Sequence, residues 1–144
     1  MSQQRSSKQN NAETLQRNGD LLSKIQAMAH IGTWELDIAS GRLTWSDEVY
    51  RIFGVKPRQF TPSYKDFLVH VHPDDRDMVD KAYSDSIKQQ SEGYEIEHRI
   101  VHKQSGETRY VHEKCTHERD RQGNIIRSVG IVQDITDRKR FEND

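Results

Sequence analysis

The sequence carries one cysteine, three prolines and no extended apolar run. The lone thiol, Cys115, forms no internal disulfide and supplies no cysteine-rich zinc site, which suits a reducing compartment and leads us to expect a cytoplasmic chain. No segment approaches the roughly 20 apolar residues that a bilayer crossing needs, and the opening MSQQRSSKQNN lacks the apolar core of a secretory leader. Neither charge sign dominates: 22 Lys and Arg face 23 Asp and Glu, so nucleic acid meets no basic stripe. The glycines sit singly at turns rather than clustering into a phosphate loop. Only 32% of residues are apolar, so a 144-residue chain has material for one core gathered from a few elements.

The patterning divides the chain. Residues 1–13 are almost wholly polar and read as a disordered tail. Residues 14–30 place Leu15, Leu22, Ile25 and Ala29 at helical spacings, with Leu21 and Met28 widening the stripe. That amphipathic helix either packs on its own domain or forms a seam between two copies; two heptads leave both open. Trp34, Leu36 and Ile38 then alternate with Thr33, Glu35 and Asp37 as in a half-buried strand, and Ala39–Arg42 turns into Leu43–Trp45 as a hairpin. Ser46 is positioned to cap a short helix carrying Val49, Ile52 and Phe53, with Gly54 closing it. One or two helical turns follow over Tyr64–Val69. Pro73 opens a longer helix to about Gln89, with Met78, Val79, Ala82, Tyr83 and Ile87 on one face.

The last third is strands: Tyr94–Val101, Thr108–Arg119 and Ile125–Ile135, broken at Gln104–Gly106 and Asp120–Gly123. In the last of them Val129 and Ile131 take one parity, Gly130 and Val132 the other, so both faces are apolar and the leading helix is expected to cover the outer one. Thr136, Asp137 and Arg138–Arg140 start an exit helix. The order describes an α+β domain on one antiparallel sheet.

Four stretches resemble the PAS family of bacterial sensor kinases and cyclic-dinucleotide signalling proteins. These are Ile31-Gly-Thr-Trp-Glu-Leu-Asp37, Trp45-Ser-Asp-Glu-Val-Tyr-Arg-Ile-Phe-Gly54, His72-Pro-Asp-Asp-Arg76 and Gly130-Ile-Val-Gln-Asp-Ile-Thr-Asp-Arg-Lys139. The resemblance implies a PAS fold over residues 31–136: a five-stranded antiparallel sheet with short helices and one longer helix on one face, preceded by the amphipathic helix. Residues 137–144 are then the start of a signalling linker. It further implies signal sensing, pairing into a homodimer, and control of an attached or separate output domain such as a histidine kinase or diguanylate cyclase. A ligand-free dimerisation module is the alternative. In the family the exit helix continues into such a domain, whereas this sequence stops at Asp144, which leaves fragment and stand-alone sensor both open.

Cofactor chemistry known in the family finds little support here. Cysteinyl-flavin photochemistry needs a cysteine on the helix before the long one, and Tyr64–Val71 has none. Haem ligation needs a histidine on the long helix, and Asp74–Gln89 has none, leaving Met78 as a core residue rather than a soft ligand. His70 with His72, and His98 with His102, share strand parity, but no carboxylate or cysteine completes a metal set. Cys115 and His117 lie two apart without the nucleophile turn or orienting group that catalysis requires, so no enzyme is expected.

Three groups of site residues follow. Trp34, Leu36, Ile52, Phe53, Phe67, Met78, Val79, Tyr83, Gly130 and Val132 line either an apolar ligand cavity or a filled core. Asp134, Ile135 and Thr136 join the last strand to the exit helix and are expected to relay a signal, with Asp134 four residues before a possible ion-pair partner, Arg138. Leu15, Leu22, Ile25, Met28, Ala29, Val129 and Ile131 are the expected dimer surface.

Overall fold

The computed structural model describes residues 2–143, with side chains over 8–142. Helix α1 (Ser2–Ala29) leads into β1 (Ile31–Asp37), β2 (Leu43–Trp45), α2 (Asp47–Phe53) and α3 (Tyr64–His70). A 3₁₀ turn (Pro73–Asp75) runs into α4 (Arg76–Lys88), followed by β3 (Gly93–Val101), β4 (Thr108–Arg119), β5 (Ile125–Asp134) and α5 (Thr136–Asn143). The five strands lie in the order β2-β1-β5-β4-β3, every pairing antiparallel.

Register decides what the sheet shows to each side, because directly paired residues share a face. One row reads Trp45, Trp34, Gly130, Cys115, Tyr94 across all five strands. Neighbouring rows put Val132, Glu113 and Ile96 together, and Leu43, Leu36, Ser128 and His117 together. These residues form the inner face, and α2, α3 and α4 pack against it, with Val49, Phe53, Val79, Ile100, Val111 and Val132 almost fully removed from water. Each such side chain contributes about 1.5–3 kcal/mol by burial.

Glycine is indispensable in this face at position 130. A Cβ on Gly130 would stand 2.5 Å from Trp34 Cζ2 and 2.5 Å from the Lys114 carbonyl oxygen, so only a bare backbone lets the indole lie across β5.

Local chemistry fixes the helices. Ser63 and Asp66 form a reciprocal capping box on α3. His72 Nδ1 accepts from Asp74 N–H at 3.1 Å at the start of the 3₁₀ turn. Gly54, at φ 82°, ends α2 in the left-handed region. Ser46 departs from its expected role: its hydroxyl accepts from Thr33 N–H at 3.0 Å, which ties it to the strand, and makes no cap bond to α2. Asp75 accepts from Arg99 N–H at 2.7 Å and from its guanidinium at 2.8 Å, pinning the start of α4 to β3.

Two readings of the first thirty residues need correction. Helix α1 begins at Ser2 rather than at residue 14, so the polar stretch expected to be disordered is helical from residue 2. Its Gln, Arg, Lys, Glu and Ala content favours helix without needing an apolar face. Nor does α1 cover the outer face of the sheet: it meets β1 and α2, and Leu15, Leu22, Ile25 and Met28 stay exposed. The outer face is instead an open groove of about 600 Å³ that includes Val129 and Ile131, both half-buried. No described helix is long and apolar enough to cross a membrane.

Candidate functional site

Between sheet and helices lies a cavity of about 30 Å³. A single water needs roughly 10–15 Å³, so the space holds one or two water-sized groups and the core is otherwise filled. Of the residues expected to line it, Trp34, Leu36, Phe53, Phe67, Tyr83 and Val132 do so. Ile52 is buried elsewhere in the core, Val79 is fully buried behind the lining, and Met78 is 43% exposed on α4. Gly130 is off the lining because the Trp34 ring covers it. The structure adds Leu43, Trp45, Val49, Tyr64, Tyr94 and Glu113. Neither a cysteine nor a histidine is among the lining residues, and the space is far smaller than a flavin or haem, so these residues do not fit either group.

Glu113 is the unexpected member, 2% exposed in an aromatic chamber. Its Oε2 lies 2.9 Å from His98 Nε2, and His98 Nδ1 lies 3.1 Å from the Arg99 carbonyl oxygen. A carbonyl only accepts, so Nδ1 carries a proton, and a further proton must lie between Nε2 and Oε2. The couple is therefore neutral as a whole, with one proton shared between Nε2 and Oε2. Burial pulls the His98 pKa down, but the Glu113 hydrogen bond and charge outweigh it and raise the value above the ordinary one.

A second buried network stands at the other end of the inner face. Ser86 Oγ donates to the Tyr83 carbonyl at 2.7 Å, so it accepts from His117 Nε2–H at 2.8 Å. His117 Nδ1 then accepts from Ser128 Oγ at 2.9 Å, and Ser128 accepts from the Tyr83 hydroxyl at 3.0 Å. The ring is neutral with one defined tautomer, and burial, aided by Arg119, lowers its pKa. Cys115 beside it is no reactive thiol, because burial pushes its pKa up to about 12.

The strand-to-helix junction brings Asp134, Ile135 and Thr136 together. Asp134 Oδ2 accepts from Arg109 at 2.6 Å, and Oδ1 accepts from Thr136 N–H at 2.9 Å and from its hydroxyl at 2.5 Å. Asp134 thus satisfies the first amide of α5. Tyr110 N–H donates to Thr136 Oγ1 at 3.0 Å, and Ile135 N–H donates to the Tyr110 carbonyl at 2.9 Å. Arg138 does not pair with Asp134. It reaches Glu97 at 3.1 Å, as does Lys139 at 3.2 Å, while Arg140 meets Glu107. The incoming chain closes the junction, since Asp134 N–H donates to the His30 carbonyl at 3.0 Å.

The expected dimer residues are not brought together: Leu15, Leu22, Ile25 and Met28 lie on α1, Ala29 at its half-buried end, and Val129 and Ile131 on the outer sheet face. His70 and His72 make no shared site, and no cluster able to hold a metal ion occurs among the described residues.

Comparisons with known proteins agree with this architecture. The sequence profile of the PAS fold matches residues 42–132. A blue-light-activated histidine kinase of Brucella abortus is 36% identical over 128 residues, 88% of this chain and 24% of that protein. The sensor protein FixL of Bradyrhizobium diazoefficiens is 30% identical over 112 residues, 78% of this chain and 22% of that protein. The chain therefore spans about a quarter of the length of these curated relatives. Among solved structures, a sensory box histidine kinase/response regulator from Burkholderia thailandensis superposes with TM-score 0.67 at 26% identity, covering 82% of this chain and 86% of that one. The N-terminal domain of a diguanylate cyclase with a PAS/PAC sensor from Marinobacter aquaeolei gives TM-score 0.68 at 16% identity, covering 76% and 98%. With five strands in this order, an inner face roofed by short helices and a profile match over most of the chain, the protein belongs to the PAS family.

Proposed function

We propose that this PAS domain is a non-catalytic cytoplasmic sensory module that relays a change in its core through the Asp134–Thr136 junction to an output domain such as a histidine kinase or diguanylate cyclase. One observation carries the reading: the Asp134 carboxylate holds β4, through Arg109, and the first turn of α5, through Thr136, with a single group. A shift of β5 against β4 cannot leave that group in register with both, so the sheet's packing sets the exit angle of α5. The His30 carbonyl on Asp134 N–H brings the incoming helix into the same joint. The residues facing the inner cavity are where a small ligand would act, and it moves the equilibrium only by its differential affinity for the two packings.

The test is an Asp134→Ala substitution in a fusion of this domain to a histidine kinase. The fold persists, read by circular dichroism, while the ratio of stimulated to basal autophosphorylation changes several-fold. Unaltered regulation defeats the relay.

The second reading, a ligand-free pairing module, is favoured by the nearly filled core and by the exposed Leu15, Leu22, Ile25 and Met28 on α1. In the same fusion it requires polar substitutions at those four positions, and not Asp134→Ala, to abolish control.

A further inference from the structure

A groove of about 1020 Å³ runs outside the core between the end of α2, α3 and the β3–β4 hairpin. Its charge is one-sided. Arg51, Lys56, Arg76 and Lys103 line it against one acid, Asp66, whose carboxylate is engaged by the Ser63 N–H in the capping box, and among the described residues Arg51 alone of the four has an acidic neighbour behind it, Glu48 at 3.8 Å. The chain as a whole has a net charge of −1, so this concentration is local. Arg76 spends donors on the Val71 and Val69 carbonyls, both at 3.0 Å, which holds its guanidinium at the groove, and among the described residues no carboxylate pairs with it. Among the described residues no carboxylate lies within ion-pairing distance of Lys56 or Lys103.

The floor offers an open polar ring. His70 is only 8% exposed and lines the groove, its ring makes no hydrogen bond to any described residue, and its nitrogens are not sealed from solvent. Its N–H is thereby open to an acceptor that enters the groove. Burial, reinforced by Lys103, lowers its pKa and favours the neutral ring. The same ring stacks on Phe53, with centroids 5.4 Å apart and planes 10° apart, and Phe53 lines the inner cavity.

We propose that this groove docks an acidic, partly apolar peptide segment of a partner protein, its carboxylates meeting Lys56, Lys103 and Arg51 and one of them reaching His70. The basic side chains share the lining with Val55, Phe60, Val69 and Val101, a mixture that suits side-chain carboxylates alternating with apolar anchors rather than a lone phosphate. Through the His70–Phe53 stack, occupancy of the groove reaches the wall of the core. The inference goes beyond the proposed relay and stands or falls without it.

The test uses a fluorescein-labelled peptide of alternating glutamate and leucine, followed by polarisation and by the His70 ring signals in NMR. Binding moves those signals, and the Lys56→Glu/Lys103→Glu double variant, altered only at exposed positions, weakens affinity about tenfold or more. His70→Phe keeps the stack, removes the ring nitrogens and weakens binding further in the wild-type background. Equal binding of a lysine-leucine peptide, or no change in the double variant, overturns the proposal. Inorganic phosphate that displaces the peptide and reproduces the His70 shifts also overturns it, in favour of a small-anion site. Single Lys56→Gln and Lys103→Gln variants decide the question in the same way should the double variant lose its native spectrum.

Discussion

The two faces of one sheet handle polarity in opposite ways. On the inner face the buried carboxylate and the two strand histidines find partners within the fold: Glu113 in His98, and His117 in Ser86 and Ser128. On the outer face Arg127 bridges Glu35 and Glu118, both at 2.9 Å, across three neighbouring strands in contact with solvent. The strands are the same and the alternation of side chains is the same. The difference is that unpaired polarity inside costs the full desolvation of the group, whereas outside water replaces any lost partner. The inner pairs therefore define which packing the helices adopt against the sheet, and the outer pairs tune solubility and strand register.

Breaking the inner couple gives the largest effect. Glu113→Ala leaves His98 buried without its counter-charge and lowers stability by about 3–5 kcal/mol, read by urea unfolding. Replacing both residues by leucine recovers much of that loss, because an apolar pair of similar size fills the same space without a buried charge. A double variant as unstable as the single one would show that the couple contributes through packing rather than charge.

The second test uses the opposite protonation demands of the two inner networks. His117 is held neutral with its pKa lowered, so its folded state takes up a proton less readily than the unfolded chain. Its contribution is complete above the ordinary histidine value, about 6.5, and is lost as pH falls toward the lowered one. His98 has its pKa raised, so its contribution is complete below the ordinary value and is lost as pH rises through the raised one. Thermal unfolding of wild type against His117→Asn should show a gap that narrows toward acid, and against His98→Asn a gap that narrows toward alkali. His70, also lowered by burial, moves in the His117 direction and belongs in the background of both comparisons. Gaps that stay parallel across pH would mean that neither ring is held in one protonation state.

What the sequence disclosed follows the same division. Strand parity made the inner face legible: Trp34, Leu36 and Val132 point where alternation places them. Glu113 was passed over because a glutamate in a strand reads as solvated, although the shared parity of Val111, Cys115 and His117 put it inside. Trp45, Tyr64 and Tyr94 joined the chamber through elements whose facing depends on how short helices and an edge strand dock, which no local pattern encodes. The junction residues were visible as a strand end followed by cap chemistry, but the partner of Asp134 was not. The four-residue spacing pointed to Arg138, while the folded chain presents Arg109 from the adjacent strand at 2.6 Å. Helix α1 is readable as amphipathic, but its placement against β1 and α2 with the stripe left exposed is not, because periodicity gives a helix an apolar side without giving that side a partner.

The smallest expected effect tests the outer face. Arg127→Gln removes both of its ion pairs, yet both acids remain in water, so side-chain ordering and screening cancel most of what the pairs contribute. The melting temperature should hardly change at physiological salt, and the slight difference seen at low ionic strength should vanish as salt is added. A substantial loss that salt does not abolish would mean that this face is covered in solution. Val129 and Ile131, which lie on either side of the inward-facing Gly130, would then sit in an interface instead of an open groove. The contrast between a sheet face that must pair its ionisable groups and one that need not would then hold only for the isolated chain.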